Sequence, residues 1–291
     1  YAAPDCDNWR VDSCYVYYPV QFGIQPDNAD GWVMNNNRVI GAGSNNYYLT
    51  TANTSLDNCT SEECRGDTGF NILFPYDSVI IRNSRSTDDV CAIAVGAGCD
   101  SVVLYNNTLL RPKRAGIYTS STSNSCAIDS NTIVDADSVG MHLSGDTARV
   151  SNNLVTGARW AGLFLNGADL GSIWNNTVTG NFANGAGIML NEANGNTLYS
   201  NRITDHAQYG VDVIASSNNL FYQNLVAGNG SYGVHLSGAS AADTFERNDL
   251  LPSSAATNAC LQNATANTIT ATRNWWGSTD TVAIADSISN T

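Results

Sequence analysis

Apolar and polar residues alternate along most of the chain in short runs, and the runs recur. An Asn closes segments such as Val103-Leu104-Tyr105-Asn106-Asn107 and Ser172-Ile173-Trp174-Asn175-Asn176. Taking Asn83, Asn107, Asn131, Asn153, Asn176, Asn201, Asn224, Asn248 and Asn274 as equivalents, the spacing is 22–26 residues. Nine residues after most of them stands a Gly that opens a second alternating run, as in Gly140-Met141-His142-Leu143. Period-two alternation over so few residues, bounded by Asn, Gly, Ser and Thr, predicts short strands with polar corners.

Three apolar columns emerge when the repeats are aligned. One runs Ile80, Leu104, Ile128, Val150, Ile173, Leu198, Phe221, Phe245. A second follows each Asn by two residues, from Leu109 to Leu250, and a third follows each Gly, from Ile117 to Val234. A single unit cannot bury three apolar edges, but stacked units share one core. The expectation is an all-β, single-domain parallel β-helix, or β-solenoid, of about nine or ten coils with three short strands per coil. Asn suits its corners because it tolerates left-handed backbone and bonds along a stack of identical amides. The pattern loosens elsewhere. Residues 1–32 are expected to form an N-terminal cap, 33–280 the β-helix with an insertion at about 53–68, and 281–291 a C-terminal cap or tail.

The Asn-Asn-Thr and Gly-Ile-x-Leu runs, with Asn-x-Leu/Ile-x-x-Asn corners, resemble the right-handed parallel β-helix repeat of pectate lyases, polygalacturonases, alginate epimerases and NosD-like surface proteins. Arg273-Asn274-Trp275-Trp276-Gly277 is similar to the ending of many secreted members. The resemblance implies the fold over about residues 69–280 and leaves the chemistry open. Of the polygalacturonase pattern only Asp88-Asp89 is present. The Asp-Pro-His of alginate epimerases and the acidic calcium ligands of pectate lyases are missing.

Composition narrows the classes. Charged residues make up 13% of the chain, and the formal net charge is −13. A nucleic-acid ligand is therefore not expected. No apolar run has the length of a membrane span. Eight cysteines, a single lysine (Lys113) and the Tyr1-Ala2-Ala3-Pro4 start point to a secreted or cell-surface protein. Cys6 with Cys14, Cys59 with Cys64, and one bridge among Cys91, Cys99 and Cys126 are the candidate disulfides. Cys260 is left over, as a buried thiol or an intermolecular link. Six sequons, at Asn53, Asn58, Asn106, Asn175, Asn229 and Asn263, permit glycosylation, though so Asn-rich a chain produces about six by chance. No cofactor is expected. Calcium lacks a ligand motif, and three His without a Cys-x-x-Cys pair disfavour zinc.

Three constellations carry candidate chemistry. An outward stripe holds Tyr105, Asp129, Ser151, Trp174, Tyr199, Tyr222 and Glu246, whose rings suit sugars, a second subunit or plain sheet stability. A second stripe holds Asn71, Ala94, Tyr118, His142, Phe164, Met189, Asp212 and His235. Its Asp212 and His235 fall on adjacent coils as a general base or a surface ion pair. The third is basic: Arg111, Lys113 and Arg114, with Asp137 and Arg159 a coil or two beyond, as a uronate-binding corner or a ladder of salt bridges. The function expected is an extracellular structural β-helix, self-assembling or glycan-binding, with a polysaccharide lyase or glycoside hydrolase as the alternative. The partners are then further copies of itself or extracellular glycans.

Overall fold

Each short apolar run forms a strand that pairs with its equivalent one coil away, not with its neighbour in sequence. The computed structural model describes residues 8–26, 30–73, 75–183, 185–252 and 259–290. Among them, the first sheet has 12 strands, from Arg10–Asp12 to Thr270–Thr272. The second has 11, from Tyr15–Tyr17 to Asp249–Leu250, and the third 12, from Phe22–Ile24 to Ile288–Asn290. All pairings are parallel, for example Leu104 with Ile128 and Ile117 with Met141. The predicted columns face inward. Leu104, Leu109, Ile117, Ile133 and Leu163 are fully buried.

The solenoid has about twelve turns, not nine or ten, because two stretches read as irregular are coils. Residues 10–24 supply one strand to each sheet and pair with the next coil. The supposed insertion is equally regular, with strands Ser55–Asp57, Thr60–Glu62 and Thr68–Ile72. Its apolar signal is missing for a physical reason. In the second column, Ser61 and Ser86 occupy positions that hold Leu109 and Ile133 further on. Both donate to the buried carboxylate of Asp89, at 2.7 and 2.6 Å, and the Cys64 N–H donates to it at 2.8 Å. Burial raises Asp89 to about 6 despite these donors.

The corner between the first and second sheets uses two adjacent residues for two tasks. The first takes the left-handed backbone and faces solvent: Asn58, Asn83, Asn106 and Asn175 have φ of 52, 51, 53 and 54°. The second points inward and builds a ladder. Asn153 accepts from the N–H and Nδ2 of Asn131, and Asn176 does the same for Asn153, at 2.8–3.0 Å. Each Nδ2 also donates to a carbonyl farther back, as Asn131 does to Leu104. The ladder runs from Asn107 to Asn274 with every amide engaged. Asn83 does not belong to it. Ser84 does, accepting from the Cys59 N–H and donating its own N–H to Asn107. The inward residue of that coil is accordingly Ile81, fully buried, and not Ile80.

A second ladder, Asn196 to Asn219, ends on Asp243, whose Oδ1 accepts from both the N–H and Nδ2 of Asn219. Its Oδ2 is buried without a partner, and burial raises the carboxyl to about 6. The last coil is followed by a helix, Thr281–Asp286, capped by the Asp280 side chain. Ile284 and Ile288 pack against the core there.

Two stability outcomes follow. A raised folded-state pKa stabilises fully below the ordinary value of 3.8 and is lost as pH rises through about 6. Asp243→Asn should therefore raise stability at pH 7.5 by about 1–3 kcal/mol, with the gain vanishing below pH of about 4. Urea unfolding at both pH values checks this, and equal gains at the two would contradict it. Asn201→Ala strands the Asn176 N–H and breaks the amide-to-amide bonds on both sides, and should cost about 2–4 kcal/mol. Asn175→Ala leaves the ladder whole and should cost about 1 kcal/mol. Equal costs would place the constraint elsewhere.

Candidate functional site

The outward column of the third sheet assembles as the alternation predicts: Asn71, Ala94, Tyr118, His142, Phe164, Met189, Asp212 and His235 stand on successive coils. Period-two pleating sends these side chains outward while Ile117, Met141 and Leu163 beside them point in. The rings touch in sequence. Tyr118 meets His142 edge-on at 5.2 Å, His142 meets Phe164 at 4.9 Å, and Trp160 meets Phe164 edge-on at 5.0 Å. Trp160 and the exposed Phe182 lie at the loop rim, outside the strict repeat, so the column did not reveal them.

At the start of this row lies a cavity of about 240 Å³, lined by Asp67, Thr68, Asn71, Cys91, Ala94, Arg114, Ala115 and Tyr118. Among the described residues no carboxylate forms an ion pair with Arg114, whereas Arg111 is held by Asp88 at 2.8 Å. Burial, and then the Arg114 charge, push His142 below its ordinary value. The imidazole is thus neutral at neutral pH and able to accept a proton.

The expected basic corner is only partly assembled. One position before the Ala115, Val139 and Ala161 register, Arg114 aligns with Ser138 and Trp160. Asp137 aligns instead with Lys113 and Arg159. No ion pair joins Arg114, Asp137 and Arg159 among the described residues, so the salt-bridge ladder is not formed. Asp88 and Asp89 also divide: one pairs with Arg111 outside, the other is buried between Ser61 and Ser86.

Asp212 and His235 do meet, with Oδ1 2.8 Å from Nδ1. The pair is deeper than a surface ion pair, since the side chains are 7% and 16% exposed. The His235 ring stacks on Tyr209 at 4.5 Å and 14°, with Tyr232 at 6.2 Å. His206, the third His, is spent on structure. Its Nδ1 accepts from the Asn181 N–H, its Nε2 faces the Val178 carbonyl, and burial lowers it to about 4.

The first-sheet stripe keeps its predicted register from Tyr105 to Glu246. It is not a continuous ring ladder. Trp174 and Tyr199 stack at 5.8 Å and 4°, but Arg247 covers the Tyr222 ring at 5.8 Å. Glu246 is engaged by Arg247 and Arg273, and Asp129 by Ser151 and Asn152. These groups have little capacity left for a ligand.

The chain matches the model for the right handed beta helix region over residues 115–275. The model of the periplasmic copper-binding protein NosD matches residues 8–186. The chain belongs to the right-handed β-helix repeat family. No curated protein matches it in sequence. Among solved structures it is similar to the periplasmic alginate epimerase AlgG, with a TM-score of 0.75 at 14% identity over 92% of this chain and 74% of that one. It is similar to the A-module of the Azotobacter vinelandii mannuronan C-5 epimerase AlgE6 at 0.61 and 11%, over 97% and 79%. A DFA-IIIase from Arthrobacter chlorophenolicus gives 0.58 and 12%, over 76% and 67%. At such identities the likeness is one of fold.

Copper, named in one family description, finds no fit here. Among the described residues no three His, Cys, Asp or Glu side chains cluster as ligands. No described helix is long and apolar enough to cross a membrane. The seven described cysteines are free thiols, and Cys6 lies outside the described residues. Cys59 and Cys64 stand at opposite ends of the extended strand Thr60–Glu62, too far apart to bridge. Burial raises Cys91 and Cys126 to about 12 and raises Cys99 too. Cys260 is fully buried, which removes it as an intermolecular link. Sequons Asn53, Asn58, Asn106 and Asn175 are exposed, but Asn229 and Asn263 are buried and closed to modification in the folded chain. Cys59, Cys64, Cys91, Cys99, Cys126 and Cys260 are expected to resist a thiol reagent in native protein and to react in denaturant. Peptide mapping that finds any of the six labelled natively would contradict this placement.

Proposed function

We propose that this β-helix works outside the cytoplasm and binds an acidic polysaccharide on its third sheet. The observation that carries the reading is the unpaired Arg114 guanidinium at a cavity lined by Tyr118, the ring that starts the row of His142, Phe164 and Trp160. A guanidinium held in no ion pair suits a sugar carboxylate, with which it forms two parallel hydrogen bonds, although Asp67 lines the same cavity. The adjoining rings offer flat apolar faces to sugar rings. Structural neighbours named for alginate and mannuronan epimerisation lend the same ligand class some weight.

A second reading makes the site catalytic, and His142 favours it. A neutral imidazole near a cation is arranged to take the proton beside a carboxylate that the cation has neutralised. Incubation with polyuronates, followed at 235 nm for unsaturated product and by proton exchange for epimerisation, tests this reading. His142→Gln should abolish either signal.

Affinity electrophoresis and calorimetry with acidic polysaccharides test binding itself. Arg114→Ala and Phe164→Ala should each weaken it by about tenfold or more. The Arg114→Ala loss should shrink as salt rises. Absence of binding to every acidic polysaccharide, or variants that bind like wild type, would overturn the proposal.

A further inference from the structure

Farther along the same sheet is a second ring platform, in which Tyr209, Tyr232 and His235 lie within 18° of parallel and the faces of Tyr209 and His235 cover each other at 4.5 Å. Met189 separates it from the Tyr118, His142 and Phe164 rings in one outward column. Tyr118 and His235 are five coils apart, about 24 Å at the usual strand spacing.

The two ends differ in charge. At the first, Arg114 forms no ion pair among the described residues, although Asp67 lines the same cavity, and its field reaches His142. At the second, Asp212 is buried beneath His235, and among the described residues no Arg or Lys pairs with it. Burial first, and then the Asp212 charge, push the Tyr209 phenol upward, so that field reaches the platform. The His235 Nε2 makes no hydrogen bond among the described residues, because Nδ1 is the atom held by Asp212. It is available to a sugar hydroxyl.

A homopolymer of uronic acids seated at Arg114 carries further carboxylates along the sheet toward Asp212. A partly buried charge is poorly screened, so that approach is repulsive. The formal net charge of −13 adds repulsion of the same sign at long range. Building on the reading that this sheet binds glycan, we propose that its ligand is a mixed polysaccharide. An acidic sugar sits at Arg114, and an uncharged, hydroxyl-bearing sugar sits at Tyr209, Tyr232 and His235, bonded to the His235 Nε2. A continuous polyuronate is the disfavoured ligand.

Calorimetry with three oligosaccharides of equal length tests this: a homo-oligouronate, an alternating uronate–neutral oligomer and a neutral oligomer. The alternating probe should bind wild type about tenfold more tightly than the homo-oligouronate. Asp212→Asn, which keeps shape and removes charge, should bring those two within about threefold. Gln262→Lys, which adds a cation on the coil beyond His235 and removes no platform ring, should do the same and serves if the first variant fails to fold. Arg114→Ala should erase the preference for the alternating over the neutral probe. A homo-oligouronate that binds wild type as tightly as the alternating probe overturns this inference and leaves glycan binding standing. So does an affinity ratio unmoved in the folded variants. Failure of all three probes to bind wild type overturns the reading beneath it as well.

Discussion

The buried amide ladder is the constraint on which the rest of the structure depends. A parallel coil must turn a corner with its backbone groups inside, where an unpaired N–H costs about 1–3 kcal/mol. The Asn side chain removes that cost by bonding to the coil on either side, as Asn153 does between Asn131 and Asn176. The chain of amides fixes the vertical register of the coils from Asn107 to Asn274. That register aligns the inward columns into one core and the outward columns into continuous faces. The ring row on the third sheet is thus a by-product of corner chemistry elsewhere in the coil.

Where that chemistry was spelled with Asn, the fold was legible from residues alone. Leu104, Ile128 and Val150 could be aligned because Asn107, Asn131 and Asn153 marked their coils. Legibility failed where other side chains do the same work. Ser84 accepts from Cys59 as an Asn would, so the neighbouring Asn83 drew the alignment off by one residue. Ser61 and Ser86 face inward without an apolar side chain to mark the column, since Asp89 is what makes them good interior residues. His206 occupies a corner position with ring nitrogens in place of amide atoms, which no residue pattern signals.

The candidate site divides along the same line. Its column positions, including the contact of Asp212 with His235, followed from counting. Its depth, and the partners that enter from loops, did not. Trp160, Phe182, Tyr209 and Tyr232 fall outside the strict column. Whether Arg114 is paired depends on side-chain reach and not on register. The two aromatic faces also separate only in three dimensions. On the first sheet the acidic and aromatic groups are mutually engaged, as with Glu246, Arg273 and Tyr222. On the third, Asp212 is held beneath His235, but Arg114 forms no ion pair among the described residues.

The ladder also bears on how such a chain changes size. Removing a few residues from within a coil would leave the next corner side chain short of its neighbour and break the bonding above and below. A whole coil can be added or removed with the bonding intact, because the joint restored is the same amide-to-amide contact. Descendants of this molecule should therefore differ in length by steps of one coil, while smaller length changes collect in the loops that bulge from its corners, as the two-residue expansion before Gly187 does at the rim of the ring row.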